Sequence, residues 1–198
     1  MSHAVHPIEA ESYRILRARV DLSHLPALTR AVTERVVHAS ADLEYADTLL
    51  ADEDALRAGR EALLAGAPVV CDTRMVAGGI TRREAIVPLL DPRAAQLAAG
   101  EAITRTAAAM RLAVQETGAG AVWVVGNAPT ALFELLERPP RNPALIVGLP
   151  VGFVGAAEAK AALAAAGLPC LANRGEKGGS AVAAAAVNAL LYFDDAAP

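Results

Sequence analysis

The chain is predicted to be an α/β protein: a three-layer α/β/α sandwich around a mostly parallel central sheet of about five strands. Three observations carry that prediction. Short apolar runs alternate with segments of helical period, and strands separated by helices imply right-handed crossovers. The strand-like runs "APVVCDT", "AVWVVGN", "PALIVGLP" and "GLPCLANRG" are apolar throughout, as in a sheet covered on both faces. Hydrophobic residues make up 54% of the 198 positions while aromatics reach only 4%. Alanine supplies much of that apolar share, which suits helices packed closely on a sheet of small residues. The length fits one domain over residues 1–198, too short for two well-filled cores.

In chain order, "MSHAVH" reads as an arm over residues 1–6 and "DDAAP" as a polar tail over 194–198. "PIEAESYRILRARV" opens with Pro7, a good first-turn residue, and spaces Ile8, Tyr13, Leu16 and Val20 roughly along a helical stripe. A second helix is expected from Pro26 to about Ala39, with Ser23 or His24 ahead of it as a cap. "LEYADTLL" reads as a strand. "DEDALRAGREALLAG" is a helix stopped by Gly66. "RMVAGGITRRE" reads as a loop or short helix. "PRAAQLAAGEAITRTAAAMRLAVQETGAG" is expected to be the longest helix. "PTALFELLER", "AAEAKAALAAAG" and "GGSAVAAAAVNALLYF" are helical by period.

A net charge of -4 argues against a general binder of nucleic acid or of a membrane surface, since both need a basic face. Sixteen of the eighteen basic residues are arginine, the side chain best shaped for two-pronged carboxylate recognition. Cys71 and Cys170 sit in apolar runs without metal-ligand spacing and are expected buried and reduced. No leader pattern and no membrane-spanning apolar run is recognisable, so a soluble cytoplasmic protein is expected.

Ligands of open α/β sheets bind beyond the carboxyl ends of the strands. The segments there are "DTRMVAGG", "GNAPTA", "GLPVGFVGAAE" and "ANRGEKGGSA", each joining glycine with a polar residue or proline at a strand-to-helix switch. Their backbone N–H groups would share one rim and suit anions, although glycines in tight turns are the plainer reading. Arg74, Asn127, Arg174 and Lys177 lie in these segments and are candidate ligands for carboxylates. "NRGEKGGSA" fails the phosphate-loop pattern because Gly178 and Gly179 separate Lys177 from Ser180. "VGFVGAAE" lacks the dinucleotide spacing, so a nucleotide-binding enzyme is the weaker alternative.

His38 ends an apolar helix in "ERVVHAS". It could fill the core, cap the helix or move a proton. Arg35 lies three residues before it on the same face, which would set an anion-holding guanidinium beside an imidazole of near-neutral pKa. Spacing does not choose among these readings. No pair of histidines has metal-ligand spacing, so no protein-bound metal is expected. Ser12 reads as a surface serine when taken alone, and no nucleophile elbow is present.

Together, "HPIEAESYRILRAR", "ERVVHASAD", "CDTRMVAGGI", "GNAPTAL", "GLPVGFVGAAEAK" and "NRGEKGGSAVAAAAVNAL" resemble the precorrin-8X methylmutase family of cobalamin biosynthesis, in the family's order and over nearly the whole chain. The resemblance implies an isomerase that moves a methyl group from carbon 11 to carbon 12 of precorrin-8X, or of its cobalt-containing counterpart. It also implies a catalytic histidine at His38, substrate-binding roles for Ser12 and Arg35, a homodimer, and no cofactor. The implied substrate is a flat tetrapyrrole bearing seven carboxylates. Arginines and helix N-termini around a broad floor of Ala, Val and Gly would suit it. A tetrapyrrole carrier without catalysis is the alternative from another class.

Overall fold

The computed structural model describes residues 6–194, so nearly all of the expected arm and tail lies outside the described residues. Among the described residues ten α-helices and five strands follow one another: α1 Pro7–Arg19, α2 Ala27–Ser40, α3 Tyr45–Thr48, β1 Leu49–Ala51, α4 Glu53–Leu64, β2 Val69–Cys71, α5 Arg74–Gly79, α6 Pro92–Glu101, α7 Arg105–Glu116, β3 Val122–Val125, α8 Pro129–Glu137, β4 Leu145–Gly148, α9 Ala156–Ala165, β5 Cys170–Asn173 and α10 Ser180–Tyr192.

The sheet order is β1-β5-β4-β3-β2. β2 to β5 are parallel neighbours in sequence order, and β1 pairs antiparallel with β5 at the edge, Leu50 opposite Ala172. Of the helices that follow β2, α5 packs with α10 on one face, while right-handed crossovers between sequential neighbours carry α7, α8 and α9 to the other. There α7, α8 and α9 cover Val70, Trp123, Val125, Ile146 and Ala172. The alternate residues Val69, Cys71, Val122, Val124, Leu145, Val147 and Leu171 face the opposite core, beneath α4, α5 and α10. α2 packs on α10, and α1 packs on α2. The expected three layers are present, with the N-terminal helices added outside one of them.

Close approach on that second face depends on small residues. A Cβ on Gly59 of α4 would stand 2.7 Å from the Leu145 Cβ, and one on Gly79 of α5 would stand 2.6 Å from the Ala184 Cβ of α10.

Several expectations change. "LEYADTLL" is only half strand: Tyr45–Thr48 forms a single helical turn and pairing begins at Leu49. The expected longest helix is two. Ala102 adopts φ +53 and Thr104 restarts the chain, its hydroxyl accepting from the Ala107 N–H at 3.2 Å. Alanine's high propensity hides this cap within a run of helical period. Neither Ser23 nor His24 caps α2; the cap comes from α4, where the Glu53 carboxylate accepts from the N–H groups of Leu28 and Thr29 at 2.9 Å each. Burial opposes ionisation of Glu53, yet those donors and the Thr29 hydroxyl hold its carboxyl below the ordinary range. Cys71 is buried, its thiol pushed up to about 12, whereas Cys170 is only half-buried. Among the described residues no helix is long and apolar enough to cross a membrane.

Gly59→Val should overpack the α4–β4 contact and lower stability by about 1–3 kcal/mol, read as a lower urea midpoint with the slope preserved. A midpoint equal to that of the native chain would mean that α4 does not lie where the Gly59–Leu145 approach puts it.

Candidate active site

Glu9, Ser12 and Tyr13 stand three and four residues apart on α1 and so share a face. That face meets Arg35 and His38 of α2. The Ser12 Oγ lies 2.9 Å from His38 Nδ1. Tyr13 stacks on the imidazole, with ring centroids 4.9 Å apart and planes 10° from parallel. One contact engages Nδ1 and the other sets the ring's plane. A Ser12 hydroxyl that donates to Nδ1 leaves the proton of a neutral ring on Nε2, and in the charged ring Nε2 still donates outward. Among the described residues His38 Nε2 has no partner, and the side chain is half-buried, so a ligand can reach it.

Arg35 is fixed by the same helix. Its Nη1 donates to Glu9 Oε1 at 2.6 Å and to the Tyr13 hydroxyl at 3.3 Å. Both bonds come from one nitrogen, leaving Nε and Nη2 for another acceptor. Burial raises the Tyr13 phenol above its ordinary value and keeps it a neutral partner. Arg35, Tyr13, Asn188 and Tyr192 line a cleft of about 440 Å³ between α1, α2 and the end of α10. His38 lies one turn along α2, about 5 Å closer to the sheet rim.

The four rim segments do gather at the carboxyl ends of the parallel strands, but two of their helix starts are already filled. The buried Asp72 carboxylate accepts from the N–H groups of Gly126, Asn127 and Ala128 at 3.2, 2.8 and 2.9 Å. The anion of "GNAPTA" is thus the protein's own. Burial raises the Asp72 carboxyl despite those donors. Thr73 caps α5 through its hydroxyl. By contrast, no side chain caps α9 after Gly155 or α10 after Gly179. The buried Ser180 hydroxyl at the start of α10 has no hydrogen-bond partner.

Arg74 opens α5 exposed at this rim, and Asn127 is exposed beside it with its backbone held by Asp72. Arg174 donates from Nη1 to the Asp47 carbonyl at 3.3 Å, which leaves its other donors available. Lys177 bonds Asp42 and Glu44 at 2.6 Å each, and both carboxylates raise its ammonium further. The structure therefore unites Ser12, Arg35 and His38 in one cluster and sets Arg74, Asn127, Arg174 and Lys177 around the rim. Among the described residues no cluster of His, Cys, Asp and Glu could hold a metal ion.

Four residues of the site escape a reading by motif. From the sequence Tyr13 is read only as part of the α1 helical stripe, and no motif singles out Glu9, Asp72 or Lys160. Lys160 is in fact fully buried, its Nζ donating to Asn173 Oδ1 at 3.1 Å and to the Lys177 carbonyl at 2.5 Å.

An imidazole with an oriented outward nitrogen, one turn from a guanidinium cleft on an α/β scaffold, is an arrangement that acid–base chemistry on an anionic small molecule can use. The sequence profile of the precorrin-8X methylmutase family matches residues 7–193. The precorrin-8X methylmutase of a Sinorhizobium species is 46% identical over 194 residues, covering 92% of each chain. The cobalt-precorrin-8 methylmutase of Salmonella typhimurium is 42% identical, covering 93% of each. The crystal structure of precorrin-8X methylmutase from Thermus thermophilus superimposes with a TM-score of 0.83 at 37% identity, covering 94% of this chain and 96% of that one. The chain belongs to the precorrin-8X methylmutase family and is an isomerase of the mutase kind.

Burial lowers the Lys160 ammonium from 10.5 to about 8. Between those two values the unfolded chain keeps a proton that the folded chain has lost, so this residue's contribution to stability rises with pH through that window. Urea denaturation of native and Lys160→Met protein, across and below the window, should show the difference moving in favour of the native chain as pH rises. A difference independent of pH would mean that the folded ammonium is not depressed.

Proposed function

We propose that the chain rearranges precorrin-8X, or its cobalt-containing counterpart, by moving a methyl group between adjacent ring carbons, with protonated His38 as general acid. The observation that carries this reading is the Ser12–His38–Tyr13 arrangement one turn from Arg35. Proton donation from Nε2 to a ring nitrogen or nearby carbon of the macrocycle withdraws electron density from the conjugated system. This lowers the barrier to migration, and such help is worth about a hundred- to ten-thousandfold. The reaction is intramolecular, so the protein's other duty is to hold the macrocycle in a reactive geometry.

Carboxylate arms of the substrate supply the handles. The spare donors of Arg35, the exposed guanidiniums of Arg74 and Arg174, and the Asn127 amide are disposed to take them. The uncapped starts of α9 and α10 add N–H groups on the same rim. Ser12 acts through the imidazole it orients.

The same reading includes a cytoplasmic location and a homodimer. Met75, Phe153 and Val154 are 73%, 97% and 88% exposed on the rim segments, which supports a second copy covering this side. Sedimentation tests that point: Phe153→Asp should leave a monomer, whereas an undiminished dimer would exclude this face from the contact.

His38→Ala should fold and still bind the tetrapyrrole, while converting it at least about a hundredfold more slowly, followed by the change in its absorption spectrum. Near-native turnover would remove His38 from the chemistry. Arg35→Ala should raise KM more than it lowers stability; an unaltered KM would leave Arg35 only its contacts with Glu9 and Tyr13.

A further inference from the structure

We propose that Lys160 and Lys177 act in series as positioning residues, holding the end of α2, and with it His38, in register with the sheet rim. The proposal takes from the reading above that His38 is the proton donor. It gives Lys177 a task other than meeting substrate.

Lys160 is fully buried on α9, where an uncharged chain of similar length would pack at far lower desolvation cost. What the ammonium adds is a grip on a loop. It donates to the Lys177 carbonyl at 2.5 Å, and the Asn173 Nδ2 donates to the same oxygen at 2.9 Å. The next two residues are held equally firmly. A Cβ on Gly178 would stand 2.4 Å from the carbonyl oxygens of both Leu149 and Pro150. The Gly179 N–H donates to the Leu149 carbonyl at 2.8 Å. The backbone at Lys177 is therefore fixed against β4, β5 and α9 at once.

From that fixed point the Lys177 side chain crosses to the turn that follows α2. Its Nζ meets Asp42 Oδ2 and Glu44 Oε2, each at 2.6 Å. α2 ends at Ser40, and Ala41 turns the chain with φ +54, so Asp42 stands four residues beyond His38. A second strap runs alongside, the Arg174 N–H donating to the Thr48 carbonyl at 2.9 Å. An exposed ion pair contributes little to stability. Here its backbone end is immobile, so its effect falls on where the partner segment sits. General-acid transfer is sensitive to that, since a misplacement of about 1 Å can cost about a hundredfold in rate.

Turnover of precorrin-8X by Lys177→Met protein should show kcat reduced on the order of tenfold with KM unchanged, and Lys177→Arg should recover most of the loss. A raised KM with native kcat would make Lys177 a substrate ligand and overturn the proposal. Because the two lysines act in series, Lys160→Met combined with Lys177→Met should be no slower than the slower single variant; additive losses would break the series. A third measurement needs no activity. In the resting protein the ring resonances of His38 should move in Lys177→Met while those of His24 stay in place. An unmoved His38 ring would sink the relay whatever the enzyme turns over. Failure of the native chain to convert precorrin-8X would count against the proposed reaction, and the ring resonances would still decide the relay.

Discussion

Parallel strands taken in sequential order force every right-handed crossover onto the same face of the sheet. From β2 through β5 the chain obeys that rule, and α7, α8 and α9 are spent on one side. The other side must be closed by what remains: α4 ahead of β2, α5 and the terminal α10. α10 is apolar almost all round, with eleven of its residues buried, and a helix of that kind needs a second cover. α2 provides it. Running back along α10, α2 brings its C-terminal turn to the carboxyl ends of the strands, where the rim segments gather. The place of His38 is a consequence of strand order.

Charge inside this fold is satisfied mostly by the protein itself. Glu53 of α4 serves the start of α2, Asp72 serves the start of α8, and the buried Arg111–Glu134 pair joins α7 to α8 at 2.7 and 2.9 Å. A buried carboxylate or guanidinium is tolerated only when fully partnered, and these interactions fix how neighbouring elements sit. The exceptions lie at the rim. The starts of α9 and α10 are uncapped there and the Ser180 hydroxyl is unpartnered, while His38 has an outward nitrogen and Arg35 spare donors toward the cleft at the end of α10.

The order of elements was legible because each obeys a local rule. Apolar runs bounded by Gly and Pro became strands, and Pro7, Gly66 and Thr73 stand at element boundaries for conformational reasons that act within a few residues. The misreadings arose where a local pattern had two solutions. Helical period continued through Ala102 although the chain breaks there, and "LEYADTLL" was ambiguous until pairing with β5 selected its last residues. The α2 cap was invisible for a different cause. Its acceptor, the Glu53 carboxylate, is supplied from α4, some twenty-five residues away along the chain.

The site shows the same division. The pairs Ser12 with Tyr13 and Arg35 with His38 are set by helical geometry, which the amino-acid order alone determines, as it determines the α/β class and the four rim segments. That Ser12 faces His38, that Glu9 and Tyr13 share Arg35, that Asp72 occupies the "GNAPTA" turn, and that Lys160 lies buried beneath Lys177 were decided by tertiary structure. Hydrogen bonds and ion pairs between distant residues have no signature in local spacing; they exist only once packing has brought the partners together and removed the water that would otherwise serve them.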